Sequence, residues 1–133
     1  MTAPYGIDTS ILVRLLTGDP EEGYRKTVRA LERLLAQAPD AEILASNQVI
    51  GEAYISLQHH YGVSKEDARA AFLTLFSSGL IAPLNGLSVR ELLEAQGGCG
   101  LLDRLIADDY QQRGLTVLTL DKAMSRLPDV ALL

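Results

Sequence analysis

Hydrophobic positions along the chain alternate between short continuous runs and longer stretches with helical spacing. The short runs predict five strands, at Ala3–Ile7, Glu42–Ala45, Leu80–Leu84, Leu115–Leu120 and Val130–Leu133. The stretches between them predict helices, over residues 9–16, 20–36, 47–61, 65–78, 88–96, 100–113 and 122–127. Because strands and helices alternate, the pattern indicates an α/β fold with a largely parallel sheet.

Local signals mark the ends of these helices. Asp19-Pro20 predicts an N-cap followed by proline at the first helical position. Ser64, with Asp67 three residues on, and Ser88 each indicate a capping box. Glycines that follow helical stretches predict left-handed C-terminal residues, at Gly62, Gly79, Gly97 and Gly114.

Composition favours one domain spanning residues 1–133, because a chain of 133 residues with 47% hydrophobic content can bury its own core. Its one cysteine, Cys99, excludes an internal disulfide and is typical of a reducing compartment. No apolar run approaches the ~20 residues of a membrane helix. Met1–Asp8 lacks the features of a signal peptide. We therefore expect a cytoplasmic protein that does not contact a membrane.

The net charge of −5 at first disfavours a nucleic-acid binder, because affinity for phosphate normally comes from Lys and Arg. The objection weakens if several acids bind metal ions, since bound cations reverse the local field. Composition alone leaves both possibilities open.

Two aspartates follow predicted strands. Asp8 comes directly after the first, and Asp121 after Leu115–Leu120. Ligands of open parallel sheets lie beyond the carboxyl ends of the strands, so both positions suit a functional site. Each aspartate alone is explained as well by helix capping, which stabilises a helix by roughly 1 kcal/mol.

Two further acids lie on predicted helices. Asp108 is expected on the polar side of its helix. Asp103 is predicted to share a face with apolar residues, namely Leu102, Ile106, Ala107 and Tyr110. A carboxylate on an apolar face needs a partner or a metal, although an acid in the first helical turn is also favoured by the helix dipole. Glu52 lies at the edge of an apolar face, where a solvated glutamate is the common case.

A cluster of these four acids would repel itself unless cations lie among them. Oxygen ligands select Mg²⁺ or Mn²⁺ rather than zinc. His59 and His60 are not spaced to bind zinc with Cys99, and we interpret them as surface residues.

Three segments together resemble the PIN-domain family, and more closely its VapC-like toxins from type II toxin–antitoxin systems. The strongest is the opening Ile7–Asp19 (IDTSILVRLLTGD). The second comprises LDRLIA at 102–107, VLTLDK at 117–122 and RLPDV at 126–130, and the third is the segment around Glu52. The resemblance spans essentially the whole chain.

The resemblance implies a three-layer sandwich, with a central, mostly parallel sheet of about five strands between helices. It implies endoribonuclease activity that depends on one or two Mg²⁺ or Mn²⁺ ions, with Asp8, Glu52, Asp103 and Asp121 as the acids. Asp8 would bridge the ions, because the first strand lies centrally in such sheets. Asp103 and Asp121 would complete the metal shell, and Glu52 would bind metal or orient water.

Residues beside the acids would fix carboxylate orientation, and the candidates are Thr9, Ser10 and Thr119. Ser10 departs from the asparagine that is frequent in the family at this position, but serine can still hydrogen-bond a carboxylate. Gly97–Gly100 is more glycine-rich than the family's usual lead-in to the Asp103 helix, which makes the position of Asp103 harder to predict.

Basic residues on the second predicted helix are candidates for RNA phosphates, namely Arg25 and Arg29, with Arg14 before it. The alternative is a solvated face that pairs with Glu21, Glu22 and Glu32. The resemblance also implies a homodimer and inhibition by a small antitoxin, and the acidic charge is compatible with a basic partner segment.

One other function stays open, and two more are disfavoured by the residues present. A degenerate PIN domain would keep the fold and serve as an RNA- or protein-binding scaffold. A phosphatase of the haloacid-dehalogenase type would need a second acid at Ser10, and a response-regulator receiver would need an acidic pair that the sequence lacks.

Overall fold

The computed structural model describes residues 4–133, which form two compact units that divide between Leu84 and Asn85. In the first unit the described elements follow one another as β1 (Tyr5–Gly6), α1 (Thr9–Thr17), α2 (Glu21–Gln37), β2 (Ile43–Ala45), α3 (Asn47–Tyr61), α4 (Lys65–Ser77) and β3 (Ala82–Pro83).

The strands of the first unit form one parallel sheet in the order β1-β2-β3. Tyr5 is in register with Ile43, and Leu44 with Ala82. The central strand of this sheet is therefore β2, and β1 lies at its edge, which differs from the central position expected for the first strand. Asp8 and Ser46 follow β1 and β2 at the same end of the sheet, because the strands are parallel.

Capping explains where the helices of this unit begin. Ser46 and Ser64 accept hydrogen bonds from Val49 N and Asp67 N, and so begin α3 and α4 as N-caps. The prediction for α2 was wrong by one residue: Pro20 itself is the N-cap, without a side-chain hydrogen bond, and the helix begins at Glu21. The predicted C-terminal glycines all have positive φ, and Gly62 ends α3.

The core of the first unit lies between the sheet and its helices. Helix α1 contacts α2, α3 and α4. The largest fully buried side chains here are Leu12, Ile43, Ile50, Leu57, Phe72 and Ile81. On α2, apolar residues repeat at steps of four, three and four, which is typical of a stripe that faces the core; Leu31 is buried, and Tyr24, Val28 and Leu35 are half-buried.

The second unit contains α5 (Leu87–Glu94), α6 (Leu101–Gln111), β4 (Val117–Thr119), a single 3₁₀ turn (Met124–Arg126) and β5 (Val130–Leu132). Strands β4 and β5 pair in parallel, with Val117 opposite Val130. Val117 and Val130 of these strands form a small apolar cluster with Ala107 and Met124, and Leu127 packs against it.

Two local predictions for this unit were wrong. Helix α5 begins at Leu87 with Gly86 as N-cap, so Ser88 lies inside the helix and its hydroxyl donates to Asn85 O instead of capping. The helix expected over 122–127 is the single 3₁₀ turn, because Pro128 follows closely and interrupts further helix.

The described strands are two or three residues long and form two separate sheets, of three and two strands. The mixed α/β class with parallel strands is confirmed, whereas one continuous sheet of about five strands is not observed. The three-layer sandwich and the single domain stay predictions, and Ala3, the expected start of the first strand, lies outside the described residues. No helix within 4–133 is long and apolar enough to cross a membrane.

Candidate active site

Asp8 caps the first helix with one carboxylate oxygen. Its Oδ1 accepts a 2.6 Å hydrogen bond from the Ser10 hydroxyl and a 3.2 Å bond from Ile11 N. The Ser10 bond first, and then the backbone N–H, lower the pKa of the exposed Asp8 carboxyl below its usual value. Within the described chain its Oδ2 has no hydrogen-bond partner. Asp8 is thus a helix cap, as the capping interpretation holds, and its second carboxylate oxygen remains available to a ligand.

Glu52 is held between two neutral donors. Thr9 Oγ1 donates to its Oε2 at 2.8 Å, and Gln48 Nε2 donates to its Oε1 at 3.2 Å. Thr9 is the residue after Asp8, so the first turn of α1 and the first half of α3 bring these two acids to the same region of the first unit. This pairing was not visible from local sequence patterns, because 43 residues separate Thr9 from Glu52.

Asp121, like Asp8, accepts a backbone N–H with one oxygen of its carboxylate. Its Oδ1 accepts from Met124 N at 3.0 Å, which starts the 3₁₀ turn, and its own backbone N–H donates to Thr119 Oγ1. The structure thus links Thr119 to the backbone of Asp121, and not to its carboxylate. Asp121 is exposed and its second oxygen has no partner among the described residues.

Asp103 is half-buried in the first turn of α6, and its carboxylate makes no hydrogen bond or ion pair within residues 4–133. The predicted burial of its helix face was wrong. Of the residues predicted on that face, Ala107 is buried, but Leu102, Ile106 and Tyr110 are exposed; the other buried residues of α6 are Leu101, Leu105 and Asp108.

Asp108, expected on a polar face, is only 3% exposed and is the buried acid of this helix. Asn85 Nδ2 donates to Asp108 Oδ2 at 2.9 Å and to Asp109 Oδ1 at 2.8 Å. Gln112 Nε2 also donates to Asp108. This network was missed because Asn85 lies 23 residues before Asp108, in a turn with no helical pattern.

The basic residues of α2, together with Arg14 of α1, include some that form ion pairs with carboxylates and some that do not. Arg25 and Lys26 form i,i+4 ion pairs with Glu21 and Glu22, which supports the solvated-face alternative for that stretch. Arg29 and Arg14 have no carboxylate partner in the described chain. The Arg14 guanidinium lies against Gly23, where an added Cβ would come within 3.2 Å of it.

Each unit supplies two of the four acids, Asp8 and Glu52 in the first and Asp103 and Asp121 in the second. Taken separately, neither unit brings together three Asp, Glu, His or Cys side chains that could hold a metal ion, among the residues described. The donor chemistry suits Mg²⁺ or Mn²⁺, because the acids are all oxygen donors and Asp8, Asp103 and Asp121 each keep unpartnered carboxylate oxygens.

The model of the PIN domain family matches residues 5–130. The chain belongs to the PIN domain family. PIN domains are generally nucleases that act on nucleic acids.

Among solved structures, the PIN chain is similar to one in the crystal structure of VapBC2 from Rickettsia felis bound to a DNA fragment from its promoter. The two chains are 21% identical, the alignment covers 98% of each, and the TM-score is 0.40. No curated protein matches the chain at a significant level.

Proposed function

We propose that this PIN domain is a divalent-metal-dependent endoribonuclease that hydrolyses RNA phosphodiester bonds. The observation that carries the proposal is the family match over residues 5–130, which includes all four acids. The unpartnered carboxylate oxygens of Asp8, Asp103 and Asp121 support it, because ligands must be available to bind metal.

Asp8, Asp103 and Asp121 would hold one or two Mg²⁺ or Mn²⁺ ions. Bound there, the metal would lower the pKa of a water molecule and stabilise negative charge on the phosphate. The bond from Ser10 lowers the pKa of the Asp8 carboxyl and fixes its Oδ1, so that Oδ2 is presented in a defined direction. Glu52, oriented by Thr9 and Gln48, would accept a proton from the attacking water.

Positive charge for the RNA backbone would come from Arg14 and Arg29. These two arginines are exposed and unpaired in the described chain, whereas the guanidinium of Arg25 already contacts Glu21. Contacts of this kind position a phosphate backbone without reading its sequence. We therefore place Arg25 below Arg14 and Arg29 as an RNA-binding residue.

We further propose that the nuclease is the toxin of a toxin–antitoxin pair and acts as a cytoplasmic homodimer. The resemblance of Ile7–Asp19 to VapC-like toxins supports this role, and the net charge of −5 would favour a basic antitoxin segment. Induced expression in a bacterial host should arrest growth, and the Asp8→Asn variant should not.

The decisive experiment is cleavage of a panel of structured and single-stranded RNAs by the purified protein, with Mg²⁺, with Mn²⁺ or with EDTA. Asp8→Asn removes one ligand charge with little change in volume. Asp40→Asn is the matched control, because Asp40 is an exposed turn residue of the same unit. We expect metal-dependent cutting that EDTA and Asp8→Asn abolish and Asp40→Asn preserves.

Cleavage that survives both EDTA and Asp8→Asn would contradict the metal mechanism. Binding of RNA without cleavage, by folded protein supplied with metal, would instead favour the scaffold alternative. Isothermal titration with Mn²⁺ then separates a scaffold, which we expect to bind no ion, from a very selective nuclease, which would bind the ion without cutting the RNAs of the panel.

A further inference from the structure

The side chain of Arg104, on α6, hydrogen-bonds to the backbone of the glycine-rich segment Gly97–Gly100, which precedes the helix. Its Nε donates to the carbonyl of Cys99 at 3.1 Å, and its Nη2 donates to the carbonyl of Gly97 at 2.7 Å. Side chains in a helix tilt towards its N-terminus, so a residue in the first turns of α6 can reach the preceding loop. We call this arrangement the Arg104 clasp.

The backbone of the loop fits the clasp. Gly97 and Gly98 have φ values of 70° and 71°, a left-handed conformation that glycine adopts without strain. A Cβ on Gly98 would lie 3.2 Å from Arg104 Nη2, closer than side chains normally approach. Two successive glycines lose much conformational entropy when ordered, so the loop needs such contacts to hold its shape.

Helix α6 also lacks the usual stabilisation of its first turn. Its N-cap is Gly100, which has no side chain to accept the first backbone N–H groups. Asp103 is the third residue of the helix, and fraying of one turn would release it from helical geometry.

We propose that Arg104 is a positioning residue: because Gly100 gives α6 no side-chain cap, the clasp on the carbonyls of Cys99 and Gly97 holds the first turn of α6, and with it the carboxylate of Asp103. This inference rests on the proposed function in so far as Asp103 is a metal ligand. The clasp itself is a property of the second unit and can be tested without any catalysis.

Cys99 provides the first test, because it is the protein's one cysteine, is 7% exposed and lies inside the clasped loop. Its thiol should react with Ellman's reagent only when the loop opens. Arg104→Met removes both donors and keeps a long side chain. We expect the reaction rate of Cys99 to rise at least about tenfold, which is the low end of the effect of losing one hydrogen bond to a charged donor.

Arg113→Met is the charge-matched control, since Arg113 is exposed, lies just beyond the other end of α6, and its side chain makes no hydrogen bond in the described chain. Gly98→Ala should open the clasp independently. Its control is Gly114→Ala, because the φ of Gly114 is nearly the same, at 70°, but no atom lies within 4 Å of the added Cβ. Combined with Arg104→Met, Gly98→Ala should add only the strain of its left-handed backbone, because both changes remove the same contact.

The second test measures Mn²⁺ binding by electron paramagnetic resonance, together with RNA cleavage. If the clasp positions Asp103, Arg104→Met weakens Mn²⁺ binding several-fold and lowers kcat, while KM for RNA is unchanged. Arg104→Lys keeps the charge and one donor group, and should recover part of the Mn²⁺ affinity. If the variants merely failed to fold, Mn²⁺ affinity would not decrease in the order wild type, Arg104→Lys, Arg104→Met.

Unchanged Cys99 reactivity in both Arg104→Met and Gly98→Ala overturns the clasp. Raised reactivity with unchanged Mn²⁺ affinity overturns the positioning of Asp103. If the wild-type protein binds Mn²⁺ but cuts no RNA, the proposed function fails while thiol labelling and Mn²⁺ binding still decide this inference.

Discussion

The hydroxyl of Ser10 donates a 2.6 Å hydrogen bond to Oδ1 of Asp8. The same oxygen caps α1, so one atom of this carboxylate has a structural task while the other stays available. The Asp8 carboxylate therefore caps the helix, while the hydroxyl two residues later lowers its pKa.

Replacing Ser10 with alanine should raise the pKa of Asp8, because the bond from Ser10 is the first cause of its lowered value. A carboxylate-detected NMR titration measures the change. Ser125→Ala is the control, since that hydroxyl donates to Lys122 O rather than to a carboxylate. An unchanged titration of Asp8 in Ser10→Ala would refute this account of the bond.

The lowered pKa also has a consequence for stability. Asp8 is more acidic folded than unfolded, so its contribution is present above the unfolded pKa and is lost as the pH falls through the folded pKa. In Ser10→Ala the folded and unfolded pKa values of Asp8 should lie closer together, so acidification should cost the variant less unfolding free energy than it costs the wild type. Urea unfolding at neutral and at acidic pH measures this difference.

Removing the hydroxyl of Thr9 should weaken the connection between α1 and α3. Thr9→Val preserves the shape and loses the bond to Glu52, at a cost of about 0.5–1 kcal/mol at this partly exposed position. Urea unfolding of Thr9→Val, Glu52→Gln and the double variant measures the coupling. Thr9→Ser should keep most of the stability, and strictly additive effects would show that the pair does not interact.

Metal should stabilise the folded protein if the acids bind it. At free Mn²⁺ of about 100 times its dissociation constant, linkage predicts a gain of about 2.7 kcal/mol in unfolding free energy. The gain should disappear in Asp8→Asn and persist in Asp40→Asn. An equal rise in thermal stability in all three proteins would indicate a non-specific effect of the cation.

Most helices could be predicted from the sequence because their signals are local. Ser46 and Ser64 cap where a polar residue precedes an apolar stripe, and Gly62 supplies the left-handed residue that ends α3. The strands were located but overestimated in length, since apolar residues such as Leu120 continue beyond the paired segment and are exposed.

The orientation of α6 could not be predicted, because its apolar residues occupy two faces. Leu101 and Leu105 are buried, whereas Leu102 and Ile106 are exposed, and periodicity alone fits either choice. The buried face also includes an acid, Asp108, whose partner lies far away in sequence. For the same reason, the link from Thr9 to Glu52 and the Arg104 clasp appear only in the structure.

The Asn85 contact that permits Asp108 to be buried leads to the last prediction. Asn85→Ala should destabilise the protein by about 1–3 kcal/mol, because a carboxylate that is 3% exposed loses a donor that water cannot readily replace. Asp109→Ala removes the other contact of the same amide, but Asp109 is exposed and its loss should change stability by under about 0.5 kcal/mol. Chemical unfolding of the two variants compares them directly. If Asp109→Ala costs as much as Asn85→Ala, the bond to the buried carboxylate is not what makes Asn85 important.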